Sequence, residues 1–353
     1  IAADGATYTI TFADEALVKK DYWVGTEAGI ATVPSEDIIE DQPSTLQSAA
    51  NKADYILITH PTFSSQAETL AAHRASQGLG TVVVDIQDVY DEFGYGIVGP
   101  TAIRNFLEYA AEYWQAPAPS YVVLLGDGNY DPKNYMGHNR TSFIPPYLAM
   151  VDPWIGETAA DSRYVAFSGP ESIPDMMMGR LSVTTPAEAN AFVQKIIAYE
   201  LSPADGNWSR EVLAVAGKAD SAGNFDQYSD NLLDATLPDQ YEAERVYYGV
   251  THTDVTEAVA ALKSGINQGK LIVNFIGHGF ARGWQAEKLV PKTFIQTADV
   301  PGFTNQDKYP IFLAMTCTEG YYIDPTVQAF GEVVTKAENK GAIASWSPTG
   351  QGV

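Results

Sequence analysis

The chain has 353 residues, of which 45% are hydrophobic and 18% are charged, so its composition is that of a globular protein with a large core and not of a disordered one. It carries 21 Lys and Arg against 44 Asp and Glu, and the resulting net charge of -23 disfavours nucleic acid and anionic membranes as partners. No apolar run approaches the ~20 residues that span a bilayer, and a single Cys excludes an internal disulfide.

Residues 1–45 differ in pattern from the rest of the chain. Thr7–Phe12 alternates like a strand with one solvated face, and Pro34–Pro43 is acidic and rich in turn formers, as in a linker. We therefore predict an N-terminal arm or the end of an upstream β domain. Few Lys, many Tyr, Asn and Gly, and a first residue other than Met favour an exported bacterial protein, either secreted or at the cell surface.

Residues 46–205 alternate between strand and helix patterns. The predicted strands are Tyr55–Thr59, Thr81–Ile86 and Tyr121–Leu125. The predicted helices are Ser65–Gln77, with Ser64 or Ser65 as its N-cap, Pro100–Trp114 and Pro186–Glu200. Such alternation indicates a parallel sheet with right-handed crossovers, in a first α/β subdomain. The aperiodic stretch Asp131–Glu157 is predicted to be a long functional loop or to fold on itself.

Residues 206–353 repeat the alternation and form a predicted second subdomain. Its predicted strands are Glu211–Ala216, Glu244–Tyr248, Leu271–Ile276, Ile311–Thr316 and Ala342–Trp346. Its predicted helices are Phe225–Leu237, Asp254–Ser264 and Val327–Asn339. We expect at least one more helix after the last strand, so a truncation or a cleavage after Val353 is allowed for.

Reactive side chains follow two of these apolar strands. Leu271–Ile276 leads into Gly277-His278-Gly279, and Ile311–Thr316 leads into Cys317, the only thiol. Because the carboxyl ends of parallel strands meet at one edge of a sheet, this pattern predicts a Cys–His peptidase site. The alternative is that Cys317 is a small core residue and His278 an ordinary loop residue.

Further segments, in the same order along the chain, strengthen the first interpretation. The Gly277–Gly279 and Ala314–Cys317 motifs resemble the histidine and cysteine motifs of the gingipain-type cysteine peptidases, which share a clan with the caspases. The likeness runs from about Asp54 to the end of the chain. The other similar segments are Leu124–Asp131, Ile144–Pro146, Ala160–Tyr164, Gly179–Leu181 and Ala342–Pro348.

The resemblance implies an α/β fold with a caspase-like, mostly parallel sheet flanked by helices and preceded by a smaller α/β subdomain. It makes Cys317 the nucleophile and His278 the general base and acid, with the N–H groups of Gly279 and Cys317 as oxyanion donors. Asp161 matches an acidic position at the base of the S1 pocket in arginine-specific members, and Trp346 matches an aromatic wall of that pocket. The alternatives are a turn acceptor for Asp161 and core packing for Trp346. Some members add an acidic partner for the histidine, but Phe143–Asp152 offers no clear match and none is assigned.

Cofactor signals are weak. Asp127, Asn129 and Asp131 alternate as in a calcium loop, and the family often binds structural calcium, but the late Glu of that loop is missing. Strand-end turns explain these residues more simply, so we assign no metal ligands, require no cofactor and leave structural calcium open. Glu319 lies two residues after Cys317, and a nearby carboxylate is expected to raise the thiol pKa unless it is compensated.

Three functions follow from this pattern. The first is an exported endopeptidase that cuts through a thioester acyl-enzyme after Arg, or after Lys. The second is a sortase-like transpeptidase of the same family, which joins proteins to a surface anchor. The third is a surface or scaffold protein that has kept the fold without turnover. The predicted partner is a peptide or protein substrate, and the oligomeric state is left open.

Overall fold

The computed structural model describes residues 43–351, apart from 170–172, 289 and 291, and before residue 43 only 2–4, 7–9, 11, 13, 25, 34 and 40. Residues 1–42 and 43–353 form separate compact units. In the first unit, strands β1 (Ala2–Asp4) and β2 (Thr7–Thr9) pair antiparallel. The predicted strand Thr7–Phe12 is therefore present over Thr7–Thr9, while Ile10, Phe12 and most of the predicted linker lie outside the described residues.

The first large sheet is parallel throughout and has the order β4-β3-β5-β8. The strands of this half of the chain are β3 (Tyr55–Thr59), β4 (Thr81–Asp85), β5 (Tyr121–Leu125), β6 (Leu148–Asp152), β7 (Gly156–Ala159) and β8 (Met177–Leu181). The helices are α1 (Ser64–Ser76), α2 (Ile86–Gly94), α3 (Pro100–Tyr113) and α4 (Pro186–Leu201). Alternate residues of each strand face opposite layers, so α2 and α3 pack on one face of the sheet and α1 and α4 on the other.

Two details in this half differ from the sequence prediction, and a third agrees with one of its alternatives. Ile86 begins α2 instead of ending a strand, because the Asp85 side chain accepts the Gln87 N–H and caps the helix. Neither Ser64 nor Ser65 caps α1, which follows directly on a 3-10 turn over Pro61–Phe63. The predicted loop folds partly on itself, since β6 and β7 pair antiparallel within it or at its end.

The second large sheet is also parallel and has the order β10-β9-β11-β15-β16. Its strands are β9 (Glu211–Ala216), β10 (Glu242–Tyr247), β11 (Ile272–Ile276), β15 (Ile311–Met315) and β16 (Ala344–Trp346). The helices are α5 (Phe225–Thr236), α6 (Val255–Gln268) and α7 (Phe330–Lys336). Helices α6 and α7 pack on one face of this sheet and α5 packs on the other, so both faces are covered by apolar layers.

A small antiparallel sheet that the sequence did not predict lies over the same face as α6. Its strands are β12 (Gly279–Phe280), β13 (Gly283–Glu287) and β14 (Lys292–Gln296). The Trp284 ring on β13 is fully buried and stacks on Phe275 of β11, with 4.6 Å between ring centroids. The last helix, α7, is also shorter than the predicted Val327–Asn339, because the chain leaves helical geometry at Ala337.

The prediction of an α/β fold with mostly parallel sheets flanked by helices is confirmed. The proposed boundary between residues 205 and 206 stays a prediction. In the described part of the chain, every helix falls short of the length and apolar character that a membrane crossing requires.

Candidate active site

The backbone brings the predicted histidine and cysteine to neighbouring strand ends. Strands β11 and β15 pair in parallel up to Ile276 and Met315, and the Gly277 N–H donates to the Met315 carbonyl at 3.2 Å. His278 and Cys317 each lie two residues beyond that last pair, so both leave the sheet at the same edge. The sequence argument from paired strand ends therefore describes the backbone of this region correctly.

Gly279 is in close contact with the end of β15. A Cβ atom at this position would lie 2.3 Å from Thr316 Oγ1 and 3.2 Å from the Cys317 carbonyl oxygen, so a side chain is excluded. The Gln285 N–H donates to the His278 carbonyl at 2.8 Å, which makes these two residues a hydrogen-bonded pair of the small sheet. The next pair, Gly279 and Trp284, is then a non-hydrogen-bonded pair, which directs the Gly279 N–H away from β13.

The His278 ring is held from two sides. Its Nε2 lies 2.9 Å from Asp220 Oδ2, and both side chains are 15% exposed. The Phe225 ring packs against the imidazole edge-on, with 5.3 Å between centroids. These contacts fix the ring plane and assign Nε2 to the carboxylate, which leaves Nδ1 as the nitrogen for proton transfer.

Asp220 is a candidate functional residue that the sequence prediction did not include. It follows β9, which pairs with β11, so it reaches the same sheet edge as His278. Burial alone would raise the pKa of this carboxyl, but the Ala222 N–H and His278 hold the pKa below its usual value. Asp220 is therefore charged at neutral pH and can accept a hydrogen bond from His278 Nε2–H.

The signal for Asp220 was present in the sequence, because an acidic residue followed a predicted strand. The resemblance directs attention to Phe143–Asp152 for the acidic partner, and that segment offers no match. The order of strands in the sheet, which puts β9 beside β11, is a tertiary property that the strand pattern alone does not determine.

The half-buried Cys317 begins a tightly fixed turn. We call residues 316–322 the nucleophile turn. Thr318 in this turn has a φ of 51°, a left-handed conformation that is rare for a β-branched residue. Its N–H donates to the Gly350 carbonyl at 2.7 Å, and the Gly320 N–H donates to the Pro348 carbonyl at 2.9 Å. The segment after β16 thus holds the backbone on the C-terminal side of the nucleophile.

Asp161, the predicted base of the S1 pocket, is bonded within the protein. It begins a 3-10 turn, and its Oδ2 accepts hydrogen bonds from Arg180 Nε at 2.8 Å and from the Tyr322 hydroxyl at 2.7 Å. Its Oδ1 accepts the Tyr147 N–H at 3.0 Å. The bond from Tyr322 links Asp161 to the nucleophile turn, but the carboxylate already has a cationic partner. Its role in substrate binding stays a prediction.

Trp346, the predicted wall of that pocket, ends β16 with its side chain 75% exposed. It pairs with Leu313 of β15, and the nearby Met315 is 51% exposed. An indole this exposed is open to a ligand and is not packed in the core. The contact with substrate that we expect for it stays a prediction.

The residues considered for calcium have protein partners. Asp131 accepts the N–H groups of Tyr135 and Met136, and Asn129 Oδ1 accepts the N–H of Asp131. Asp127 is paired with Arg140. Within the residues described above, no cluster of three or more His, Cys, Asp or Glu side chains is arranged to hold a metal ion. Structural calcium stays a prediction.

Comparison with known proteins gives a consistent set of similarities. Residues 48–353 match the model of peptidase family C25. Two Lys-gingipains of Porphyromonas gingivalis are 29% identical to this chain over 226 and 228 residues, which is 60% of this chain and 12% of each relative. The chain therefore spans about an eighth of the length of these curated relatives.

Solved structures share the fold. The Arg-specific cysteine proteinase gingipain R (RgpB) superposes with a TM-score of 0.64 at 20% identity, covering 88% of this chain and 65% of that one. A complex of the pro- and mature domains of Porphyromonas gingivalis RgpB gives a TM-score of 0.63 at 22% identity, covering 84% and 64%. The fold of this chain is thus similar to that of the gingipains.

Proposed function

This chain belongs to peptidase family C25 and is a cysteine peptidase, and we propose that Cys317, His278 and Asp220 carry out its reaction. The observation that carries the proposal is the 2.9 Å contact between His278 and Asp220, at the end of the strand beside the one that delivers Cys317. A histidine oriented by a charged carboxylate next to a thiol is the arrangement that nucleophilic acyl transfer needs.

In the proposed reaction, Cys317 Sγ attacks the carbonyl carbon of the scissile peptide bond. His278 Nδ1 takes the thiol proton and then delivers it to the leaving amine, which departs and leaves a thioester on Cys317. Water, deprotonated by the same imidazole, attacks the thioester and releases the acid product and the free thiol. Asp220 keeps Nε2–H hydrogen-bonded throughout and stabilises the imidazolium form.

Two backbone N–H groups are proposed to bind the oxyanion of the tetrahedral intermediates. The N–H of Gly279 is directed away from β13, and the close approach of Gly279 to Cys317 supports its use on the substrate side. The N–H of Cys317 is the second donor. Because such donors are already in place, they stabilise the oxyanion without reorganisation of the site. Removing one donor from a comparable site lowers kcat by roughly 10²–10³.

For specificity we propose cleavage after Arg or Lys. The curated relatives are named for Lys, and the solved structure with a TM-score of 0.64 is named as Arg-specific. A net charge of -23 favours cationic substrates in general. Trp346 is exposed enough to stack on a guanidinium, whereas Asp161 would have to exchange its bond with Arg180 for one with the substrate.

We further propose that this chemistry serves an exported protein that cuts peptides or proteins outside the cell. The experiment that tests the proposed function uses peptidyl chloromethyl ketones with Arg, Lys or Leu at P1. We expect a single covalent adduct on Cys317 with the Arg or Lys reagent, found by peptide mapping, and none on Cys317→Ala.

Cleavage of a matching peptide, followed by mass spectrometry with and without an added primary amine, identifies the acceptor. Release of the free acid in both cases supports hydrolysis, and an amide product with the amine present indicates transpeptidation. A wild-type protein that forms no adduct and cleaves no peptide contradicts the proposal.

A further inference from the structure

The nucleophile turn contains a carboxyl group that is fully enclosed by protein. Glu319 lies two residues after Cys317 and is 0% exposed, and neither of its carboxyl oxygens makes a hydrogen bond of normal geometry with the described residues. Within this part of the chain no Lys, Arg or His forms an ion pair with it. A buried acid with no partner is costly to keep in a fold unless it is uncharged or serves the site.

The groups facing Glu319 come from three elements besides its own turn. On β13 it meets Trp284, whose indole N–H is also buried and without a hydrogen bond. On the segment after β16 it meets Ser347, whose hydroxyl lies 2.5 Å from that of Ser345. Helix α7 carries two charged residues, Glu332 and Lys336, and Lys336 pairs with Glu188 at 3.0 Å.

Glu332 is already occupied elsewhere. Its carboxylate accepts the Ala329 N–H at 2.7 Å and a hydrogen bond from Arg140 at 3.2 Å. On the nucleophile turn itself, the titratable side chains besides Glu319 are Cys317, Tyr321 and Tyr322. The surroundings of Glu319 therefore supply one indole donor and one hydroxyl, and no positive charge.

This environment suits the protonated acid. A neutral carboxyl has one O–H to offer to the Ser347 oxygen and a carbonyl oxygen that can accept the Trp284 N–H, whereas a carboxylate has acceptors only. Burial raises the pKa of Glu319 to about 7, and the Ser347 and Trp284 side chains lower it by less. The group thus changes charge in the pH range where a cysteine peptidase works.

The backbone around Glu319 is tied on both sides. The Gly331 N–H at the start of α7 donates to the Glu319 carbonyl at 3.2 Å, and the Thr318 N–H donates to Gly350. The side chain therefore cannot turn to solvent without breaking the turn that carries Cys317.

We propose that Glu319 is a positioning residue for Cys317, which holds the nucleophile turn in its reactive form only while its carboxyl is uncharged. The peptide-cleavage readout of this proposal rests on the proposed function, whereas the alkylation readout requires only the Cys317 thiol. The proposal predicts that reactivity falls as pH rises, since ionisation places an unpaired charge inside the turn, two residues from the nucleophile. For one controlling ionisation, kcat/KM falls about tenfold per pH unit above the pKa.

The test compares wild type with Glu319→Gln from about pH 5 to about pH 9. Gln has the shape of the neutral acid and cannot ionise. We measure kcat/KM on a cleaved peptide and, separately, the rate at which iodoacetamide alkylates Cys317. For both kcat/KM and the alkylation rate, the value for Glu319→Gln divided by the value for wild type should be near one at the acid end of the range. The same ratio should exceed about tenfold at the alkaline end.

Two further variants serve as controls. Glu332→Gln removes another acid whose pKa burial raises, to about 8, and it should retain the alkaline loss. Trp284→Phe keeps a ring against Phe275 but removes the indole N–H that lowers the pKa of Glu319, so the alkaline loss should move to higher pH. The second variant keeps the test open if Glu319→Gln does not fold.

The outcomes are distinct. Any of three results overturns the proposal. The first is a Glu319→Gln protein whose reactivity falls at alkaline pH as that of wild type does. The second is an alkaline fall that disappears only in Glu332→Gln, and the third is a Trp284→Phe protein whose fall occurs at the same pH as in wild type. If no peptide is cleaved at any pH while the alkylation ratio rises as expected, the proposed peptidase function fails and the role of Glu319 stands.

Discussion

The two large parallel sheets carry polar side chains at their strand ends, and they use them differently. At the first sheet, Asp127 after β5 is bound to Arg140 at 2.6 Å, and Asp161 is bound to Arg180 of β8 at 2.8 Å. At the second sheet, Cys317 is half-buried, and His278 and Asp220 are both 15% exposed. The same architecture therefore gives one edge whose charges are neutralised internally and one edge whose groups stay partly exposed, where we propose the reaction takes place.

The difference lies in the partners and not in the strands. Arg140 binds the fully buried Asp127 and also donates to Glu332 and to the carbonyls of Asp324 and Val327. Desolvation raises the pKa of Asp127, and the Arg140 charge opposes that rise. The first edge thus connects to the segment just beyond the nucleophile turn. We infer that it supports the second edge mechanically, while the second edge carries the reaction.

The largest effect that separates the edges is expected from their histidines. His278→Ala removes the group that moves the proton, so kcat/KM should fall by about 10³ or more. His60 follows β3 at the first sheet, with its Nδ1 2.9 Å from the Thr62 hydroxyl, and His60→Ala should leave kcat/KM nearly unchanged. The measurement is peptide cleavage, normalised to folded protein by thermal melting. Equal losses in both variants would remove the distinction between the edges.

The next effect is on stability and belongs to the first edge. Arg140→Met leaves Asp127 and Glu332 buried without their cation, which should cost about 3–5 kcal/mol in free energy of unfolding. Arg245→Met breaks the ion pair with Asp230, whose side chains are 39% and 40% exposed, and should cost less than about 1 kcal/mol. Urea unfolding of the two variants checks this order, and similar costs would contradict it.

Asp161 sharpens the comparison, because it is the residue of the first edge that we predicted to bind substrate. If Asp161 lies under the S1 pocket, Asp161→Asn should lower kcat/KM for Arg peptides by a factor of tens or more, since a buried charge pair contributes about 2–5 kcal/mol. If its bond to Arg180 is its whole role, the variant loses stability and keeps its P1 preference. A P1-varied peptide library on both proteins decides between these results.

The smallest effect concerns the pH dependence of the Asp220 contact. The pKa of Asp220 is lower in the folded protein than its usual value, so its contribution to stability is present above an unfolded pKa of about 3.9 and is lost as pH falls through the folded pKa. Asp220→Asn should therefore lower the free energy of unfolding by about 1 kcal/mol at neutral pH. The difference should shrink toward about pH 3, which urea unfolding at the two pH values measures. A stability difference between Asp220→Asn and wild type that grows as the pH falls would contradict this prediction.

Local patterns in the sequence were sufficient for the strands that end at His278 and Cys317, because buried parallel strands are continuous apolar runs. They were not sufficient for the partner of His278. Asp220 was visible as a polar residue after a strand, but its contact depends on β9 lying beside β11. The small sheet around Trp284 was missed for a related reason, since its strands are short and mix polar with apolar residues.

The resemblance to the gingipains implies roles for individual residues, and the contacts of each residue in the structure bear on its role. Gly279 lies beside Cys317 in a position that excludes a side chain, and its role as an oxyanion donor stays a prediction. Asp161 has a cationic partner that no sequence motif indicated, because Arg180 is near in space through the pairing of β5 with β8. Burial of Glu319 was likewise invisible in the sequence, although its distance from Cys317 along the chain was noted.

The most direct test of the contrast between the edges compares the same substitution at each: Asp220→Asn and Asp127→Asn. Turnover is measured per active site, titrated with a Cys317-directed inhibitor, beside the free energy of unfolding. We predict that Asp220→Asn lowers kcat by about 10² or more with a small loss of stability, because His278 loses its orienting charge. Asp127→Asn should lose stability and keep kcat per titrated site within about twofold. An Asp220→Asn protein with full turnover, or an Asp127→Asn protein that folds normally and turns over slowly, would contradict the account.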